Sequence, residues 1–443
     1  MKARNLKFWQ PMIHPAATHK TSPKIICAGE GVEVTDIDGH RTLDAVGGLW
    51  NVNLGYSCQP IKDAITEQLE TLPYYSSFPG VATDKAIELS HALADWFAED
   101  GMQRAFYTSG GSDAVETALR LARQYHKIRG DKDRYKFISL KKGYHGTHFG
   151  GASIGGNAKN RRNYEPLLPG CHQIASPWPY RNPFNESNPE ILAQLCANML
   201  EDEIKFQGGD TVAAFIMEPV QGSGGVIVPH KTFMPMVREI CDRHGVLLIA
   251  DEVITAFGRT GAWTGSRLWS TKPDMMCTAK GISNGYYPFG ATMLGETVVE
   301  AFESNSDSLG EIGHGYTYSG HPVGAAAALA TLQQLAVTDV ATNSAARGAE
   351  LSAGLKILMA KHDCVGDIRG IGLMQVLELV SDRSSKMPLG KNLMTAISEA
   401  IYREGVTVRV SGNNVILSPP LIINAGHVET IIKAIDVGLG SIQ

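Results

Sequence analysis

Basic charge is not in excess in this chain: 40 Lys and Arg stand against 45 Asp and Glu, a formal net charge of −5. Nothing is left over to neutralise a phosphate backbone, which argues against a nucleic-acid partner. No stretch approaches the ~18 consecutive apolar residues of a membrane span. The opening residues MKARNLKFWQPMIHP lack the apolar core of a secretory signal, so a soluble, cytoplasmic protein with no membrane association is expected. The seven cysteines (Cys27, Cys58, Cys171, Cys196, Cys241, Cys277, Cys364) are scattered, odd in number and never spaced C-x-x-C, and read as reduced thiols. There is no internal repeat, low-complexity tract or inter-module linker. Neither a P-loop nor a complete G-x-G-x-x-G is present, so kinase and nicotinamide-dependent chemistries lack their phosphate cradle.

What is present is ample core-forming material: 443 residues, 43% hydrophobic and 19% charged, more than one core usually serves. The expected architecture is α/β, a large domain with a mostly parallel sheet flanked by helices plus a small α+β domain. The expected division is an N-terminal arm and part of the small domain over 1–58, a large domain over 59–320 and a C-terminal small domain over 321–443. After an extended arm, Val32–Thr35 and Arg41–Leu43 alternate around Asp38-Gly39, predicting a hairpin. Strands are predicted at 105–107, 136–140, 212–217, 246–250, 275–278 and 291–294, with helices between them. Phe233, Met236, Val237, Ile240 and Cys241 share one helical face, as do Val115, Ala118, Leu119 and Ala122. Beyond an Ala-rich helix over 324–335, strands are predicted at 373–379, 406–410 and 415–417.

Ligands of open α/β sheets sit at the carboxyl ends of the strands, and four polar segments fall there. Tyr107-Thr108-Ser109-Gly110-Gly111-Ser112-Asp113 ends a strand, with Ser112 or Asp113 placed to cap the next helix, whose free N–H groups suit a phosphate. An ordinary strand-to-helix turn has the same composition. Leu247–Ala250 delivers Asp251 to a strand end, where a buried carboxylate needs a partner; a pyridinium nitrogen fits, because the anion keeps that nitrogen protonated. Met275–Thr278 leads to Lys280, whose amine arrives at the same sheet edge and can form a Schiff base. In Gly143-Tyr144-His145-Gly146 the Tyr144 ring can stack on a flat cofactor, although a loop aromatic packed in the core reads the same way.

Two competing patterns are weaker. Gly151-Ala152-Ser153-Ile154-Gly155 matches G-x-S-x-G, but the glycine-rich 143–151 and the polar 155–163 do not supply the strand before and helix after that a nucleophile elbow requires. His145 and His148 have no carboxylate or cysteine cluster at metal-ligand spacing and read as hydrogen-bonded loop histidines.

Leu248-Ile249-Ala250-Asp251-Glu252-Val253-Ile254-Thr255-Ala256-Phe257-Gly258-Arg259-Thr260-Gly261, followed by Lys280, resembles the class III aminotransferases of pyridoxal 5'-phosphate (PLP) fold type I, the aspartate aminotransferase-like fold. The similarity runs from about Gly29 to Leu421 and is closest to ω-amino acid (β-alanine)–pyruvate and amine–pyruvate transaminases. The resemblance implies PLP as cofactor, Lys280 and Asp251 as catalytic residues, phosphate contacts from Gly110, Gly111 and Ser112, and Tyr144 and Val253 on the two ring faces. It implies that Glu218 supports this network. Gly313-His314-Gly315-Tyr316-Thr317-Tyr318-Ser319-Gly320 resembles the segment that contributes Tyr316 and Thr317 to the cofactor site. Thr317 is then expected to reach the neighbour's phosphate in a homodimer with shared active sites, which can pair further into a tetramer.

Three positions bear on substrate. Ile254 stands where relatives acting on γ-aminobutyrate or ornithine carry Gln, and Ser223 where they carry a Glu that restrains an active-site arginine. Arg409 matches the mobile arginine that grips the keto acid's carboxylate in amine–pyruvate enzymes. Leu49 and Trp50, with Tyr75 and Phe78, are then expected to wall the amine pocket. Many relatives read Asn-Ser-Gly-Ser-Glu where this chain has Ser109–Asp113, so the hydroxyl missing at Gly110 is expected to loosen phosphate binding modestly. The expected reaction moves an amino group from an ω-amino acid or primary amine to pyruvate through a Lys280 Schiff base and pyridoxamine phosphate. A racemase, aminomutase or decarboxylase of the same family shares nearly all of these motifs, whereas a non-catalytic PLP-binding regulator would need a DNA-binding element that is not visible.

Overall fold

The computed structural model describes residues 7–17, 23–305 and 308–442. The expected arm falls partly outside them; its described part, 7–17, runs as turns with no strand. β1 (Ile26–Glu30), β2 (Glu33–Asp36) and β3 (Arg41–Asp44) form an antiparallel sheet, with the Asp38-Gly39 turn between β2 and β3. Seven strands follow: β4 (Met102–Thr108), β5 (Lys136–Leu140), β6 (Cys171–Ile174), β7 (Val212–Met217), β8 (Leu247–Asp251), β9 (Met275–Thr278) and β10 (Gly290–Gly295). Their order in the sheet is β4-β10-β9-β8-β7-β5-β6. β10 is antiparallel to both neighbours, and the other pairings are parallel.

β7 and β8 are buried along their whole lengths, which is why both read as unbroken apolar runs: helices cover both faces of a parallel sheet. The helix Gly111–Ile128 buries Val115, Ala118, Leu119 and Ala122, and the helix Phe233–His244 buries Phe233, Met234, Val237, Ile240 and Cys241, with Met236 only partly covered. The Ala-rich helix spans Pro322–Thr338, starting on a proline, with the His321 side chain accepting from Val323 N–H. It packs on the helices Gln59–Thr71 and Asp84–Trp96.

The carboxy-terminal sheet is built from β11 (Val365–Ile371), β12 (Met374–Asp382), β13 (Met387–Pro388), β15 (Arg409–Ser411) and β16 (Asn414–Leu417). The single strand expected over 406–410 is two. β14 (Val406–Thr407) pairs in parallel with β3, and after Val408 the chain crosses to pair β15 with β16. Arg409 therefore opens a strand at the joint between two sheets. β6 and β11, both unanticipated, are edge strands.

Candidate active site

The carboxyl ends of β4, β5, β7, β8 and β9 gather the polar residues singled out in the sequence. Parallel register sets Asp251 opposite Cys277 and Met217 opposite Ala250, so Glu218 and Asp251 leave neighbouring strands at the same level, and Lys280 follows the next strand over. Asp251 is 4% exposed. Its Oδ1 accepts from Val253 N–H at 3.2 Å and its Oδ2 lies 2.8 Å from His145 Nδ1. The other nitrogen of His145, Nε2, is buried with no hydrogen-bond partner among the described residues.

Glu218 accepts from Tyr144 N–H at 2.9 Å and from Gly222 N–H at 2.8 Å. Burial pushes its carboxyl up to about 7; the Asp251 charge adds to the rise, while His145 and the two backbone donors oppose it. Burial lowers the Lys280 amine to about 8, Arg409 adds to the drop, and Asp251 and Glu218 resist it. Lys280 sits at φ +49°, in the left-handed region that side chains other than glycine's disfavour. The turn after it is clamped: Asn284 accepts from Leu54 N–H at 2.7 Å and donates to Gly55 O at 2.9 Å. Arg259 in turn donates to Asn53 Oδ1 at 2.7 Å.

At the end of β4, Gly110 is the N-cap of the helix Gly111–Ile128 and supplies no side-chain cap to its first-turn amides. The expected cap by Ser112 or Asp113 does not form, because both side chains turn elsewhere: Ser112 Oγ accepts from Thr147 N–H at 3.2 Å and Asp113 accepts from Ser109 N–H at 3.1 Å. A Cβ on Gly111 would stand 2.9 Å from a Val253 methyl, and one on Gly146 would stand 2.7 Å from Ser112 Oγ. These close approaches draw the phosphate-type loop, Val253 and the Tyr144 loop together. Tyr144 is itself within electrostatic reach of Asp251, Arg409 and Glu218, and burial raises its phenol.

Arg409 joins the group from the carboxy-terminal sheet. Burial lowers its guanidinium, Tyr144 opposes that shift, and no ion pair forms on it among the described residues. Trp50 is 2% exposed at φ +66° and belongs to the apolar cluster that also holds Met217, Ile254 and Ile416, whereas Leu49 is half exposed.

Other sequence candidates lie around or outside this group. Tyr316 donates to Asp113 O at 3.1 Å and Thr117 Oγ1 lies 2.9 Å from His314. Thr317 is exposed, its carbonyl accepting from Tyr74 at 2.7 Å. Tyr75 and Phe78 are exposed on the Tyr74 segment. Ser153 is buried in the helix Phe149–Ile154, donating to Phe149 O and accepting from Leu168 N–H, which removes it as a nucleophile. His148 binds Asp113 at 2.6 Å, and no cluster that could hold a metal occurs among the described residues. The histidine weighed only as a loop group, His145, is the one in contact with Asp251; its position next to Tyr144 was the available signal.

Residues 15–438 match the aminotransferase class-III family. The chain belongs to the class-III aminotransferases. An amine transaminase from an uncultivated Pseudomonas species, solved in its PLP-bound form, is 46% identical with a TM-score of 0.97 over 99% of each chain. The omega transaminase of Pseudomonas jessenii, solved in complex with PMP, is 35% identical with a TM-score of 0.94 over 98% of this chain and 96% of its own. The putrescine–pyruvate aminotransferase of Pseudomonas aeruginosa is 38% identical over 410 residues, 92% of this chain and 89% of that protein.

As a class-III aminotransferase the protein has PLP fold type I, uses pyridoxal phosphate, and takes an amine donor and a keto acid. The residues present fit the cofactor: an amine lowered to about 8, a buried carboxylate on a strand end, and helix-start amides that no side chain caps.

Proposed function

We propose that this aminotransferase moves the amino group of an ω-amino acid or primary amine to pyruvate, giving an aldehyde or ketone and alanine. The observation that carries the reading is Arg409, a guanidinium without an ion pair among the described residues that lies within electrostatic reach of Tyr144 and Lys280. Such a fork suits a keto acid's carboxylate, and a relative that takes putrescine and pyruvate supports the choice.

Bound PLP supplies the electron-withdrawing ring that acidifies the substrate carbon. In this reading Asp251, oriented by His145 and Val253 N–H, would hold the ring nitrogen in its protonated form, and Gly110, Gly111 and Ser112 would hold the phosphate. Tyr144 and Val253 would pack on the ring, Glu218 fixes the Tyr144 backbone, and Lys280 would take and return the proton at the substrate carbon. Leu49 and Trp50 bound the amine side. Thr317, exposed and held through its carbonyl by Tyr74, reaches the partner's phosphate in a homodimer, with Tyr316 serving the same cofactor site.

The test is a donor panel with pyruvate as acceptor and alanine as readout. One alanine per amine consumed is expected, with no turnover by Lys280→Ala and a raised pyruvate KM in Arg409→Leu. Mixing holoenzyme with amine alone should aminate the cofactor stoichiometrically; donor loss without that amination would overturn the reading.

A further inference from the structure

Arg369, on β11, makes four connections with one planar group. Its Nε–H donates to Gly225 O at 2.8 Å, Nη1 to Asp367 at 2.7 Å and Glu378 at 2.9 Å, and Nη2 to Asn414 Oδ1 at 3.1 Å. Its face lies 4.8 Å from the Trp178 ring. Glu378, 1% exposed, also accepts from Arg181 at 2.6 Å and Asn413 Nδ2 at 3.2 Å. The cluster balances two carboxylates against two guanidinium groups, so each buried charge is paired.

Two of these connections lead to the active site by separate routes. Gly225 belongs to the loop that begins at Gln221, whose Gly222 N–H is held by Glu218, the residue that also holds Tyr144 N–H. Asn414 closes the hairpin in which Ser411 pairs with Asn414 and Arg409 with Ile416. A Cβ on Gly225, at φ +120°, would stand 3.0 Å from Arg369 Nη2 and 3.4 Å from Asn414 Nδ2, so loop and hairpin meet at this guanidinium with no room for a side chain between them.

We propose that Arg369 is a positioning residue for keto-acid recognition, pinning the hairpin that carries Arg409 to the 221–225 loop so that the Arg409 guanidinium stays in the site. The inference rests on the reading of Arg409 as the carboxylate grip. A lysine cannot replace Arg369, because one ammonium cannot span Gly225 O and Asn414 Oδ1 as a planar fork does. An amine that carries no carboxylate does not need Arg409, so the effect falls on one half of the reaction.

The experiment uses holoenzyme of Arg369→Lys and Asn414→Ala, the second removing only the hairpin arm and uncovering no charge. Each half-reaction is followed alone, an alkylamine without a carboxylate with the PLP form and pyruvate with the aminated form. Propionate is also titrated calorimetrically into the aminated form. The pyruvate KM should rise about tenfold, the scale of one charge-assisted hydrogen bond, with the saturated rate and the amine half-reaction within about twofold of the parent. Propionate affinity should fall by the same factor. Equal losses in both half-reactions, or no change in either, overturn the proposal, and Asn414→Ala decides it if Arg369→Lys fails to fold. Arg409→Leu separates the two readings. If that variant leaves pyruvate KM unchanged, the carboxylate grip is wrong; if it raises KM while Asn414→Ala does not, only the role of Arg369 is.

Discussion

His145 Nδ1 lies 2.8 Å from Asp251 Oδ2, with both side chains shut away from solvent. One oxygen of Asp251 is thereby committed to the imidazole and the other to Val253 N–H, which fixes the plane of the carboxylate. Replacing His145 by Ala removes a hydrogen bond to a charged group, about 1.5–3 kcal/mol, so PLP should bind roughly 10- to 100-fold more weakly. Absorbance titration of apoenzyme measures this, and His145→Gln, which keeps a donor, should recover part of the loss. Unaltered affinity in both variants would remove His145 from the site.

Gly110 and Gly111 should respond oppositely to serine. A Cβ on Gly110 meets nothing within 4 Å, and its φ of 173° is ordinary extended backbone. Gly110→Ser adds a hydroxyl donor for the phosphate, and should tighten PLP several-fold, about 1 kcal/mol. Gly111→Ser drives into Val253 at 2.9 Å and should weaken it. Equilibrium dialysis of both variants checks the ordering.

Glu218 gives the apoenzyme a pH-dependent stability. Its folded-state value, about 7 against 4.5, lies above the unfolded one, so the folded chain binds more protons between those values. Its contribution is fully present below pH 4.5 and is lost as pH rises to 7, by up to about 3 kcal/mol. Urea unfolding of Glu218→Gln across that window should show a flatter decline than the parent, and parallel curves would contradict the shift.

Lys280 must be neutral to capture the cofactor's aldehyde, and its amine sits at about 8. The rate of PLP uptake by apoenzyme should climb with pH up to about 8 and then level, rather than climbing on toward 10.5. Stopped-flow absorbance between pH 6.5 and 10 decides between the two profiles.

The placement of Asp251 and Lys280 at the sheet's carboxyl edge was legible in the sequence because each is the first charged residue at or just past the end of an apolar strand in the middle of the sheet, where both faces are buried. β6 and β11 were not, because both are sheet edges. β6 reads Cys-His-Gln-Ile, and β11 carries Gly366, Gly370, Asp367 and Arg369, compositions that an edge tolerates and a pattern search passes over. The break at Val408 depends on β3 and β16 as partners, information absent from the local run. The pairing of His145 with Asp251 spans 106 positions, a contact no spacing rule reaches. The same holds for Arg369, whose partners Gly225, Glu378 and Asn414 come together only through the fold.

The left-handed backbone at Lys280 means that deleting its amine does two things at once. Alanine there keeps a Cβ in a conformation costing about 1–2 kcal/mol, whereas glycine adopts it freely. Lys280→Gly and Lys280→Ala should therefore be equally inert yet melt at different temperatures, glycine higher. The gap between the two melting curves weighs the tension this turn holds for the sake of where it aims one nitrogen.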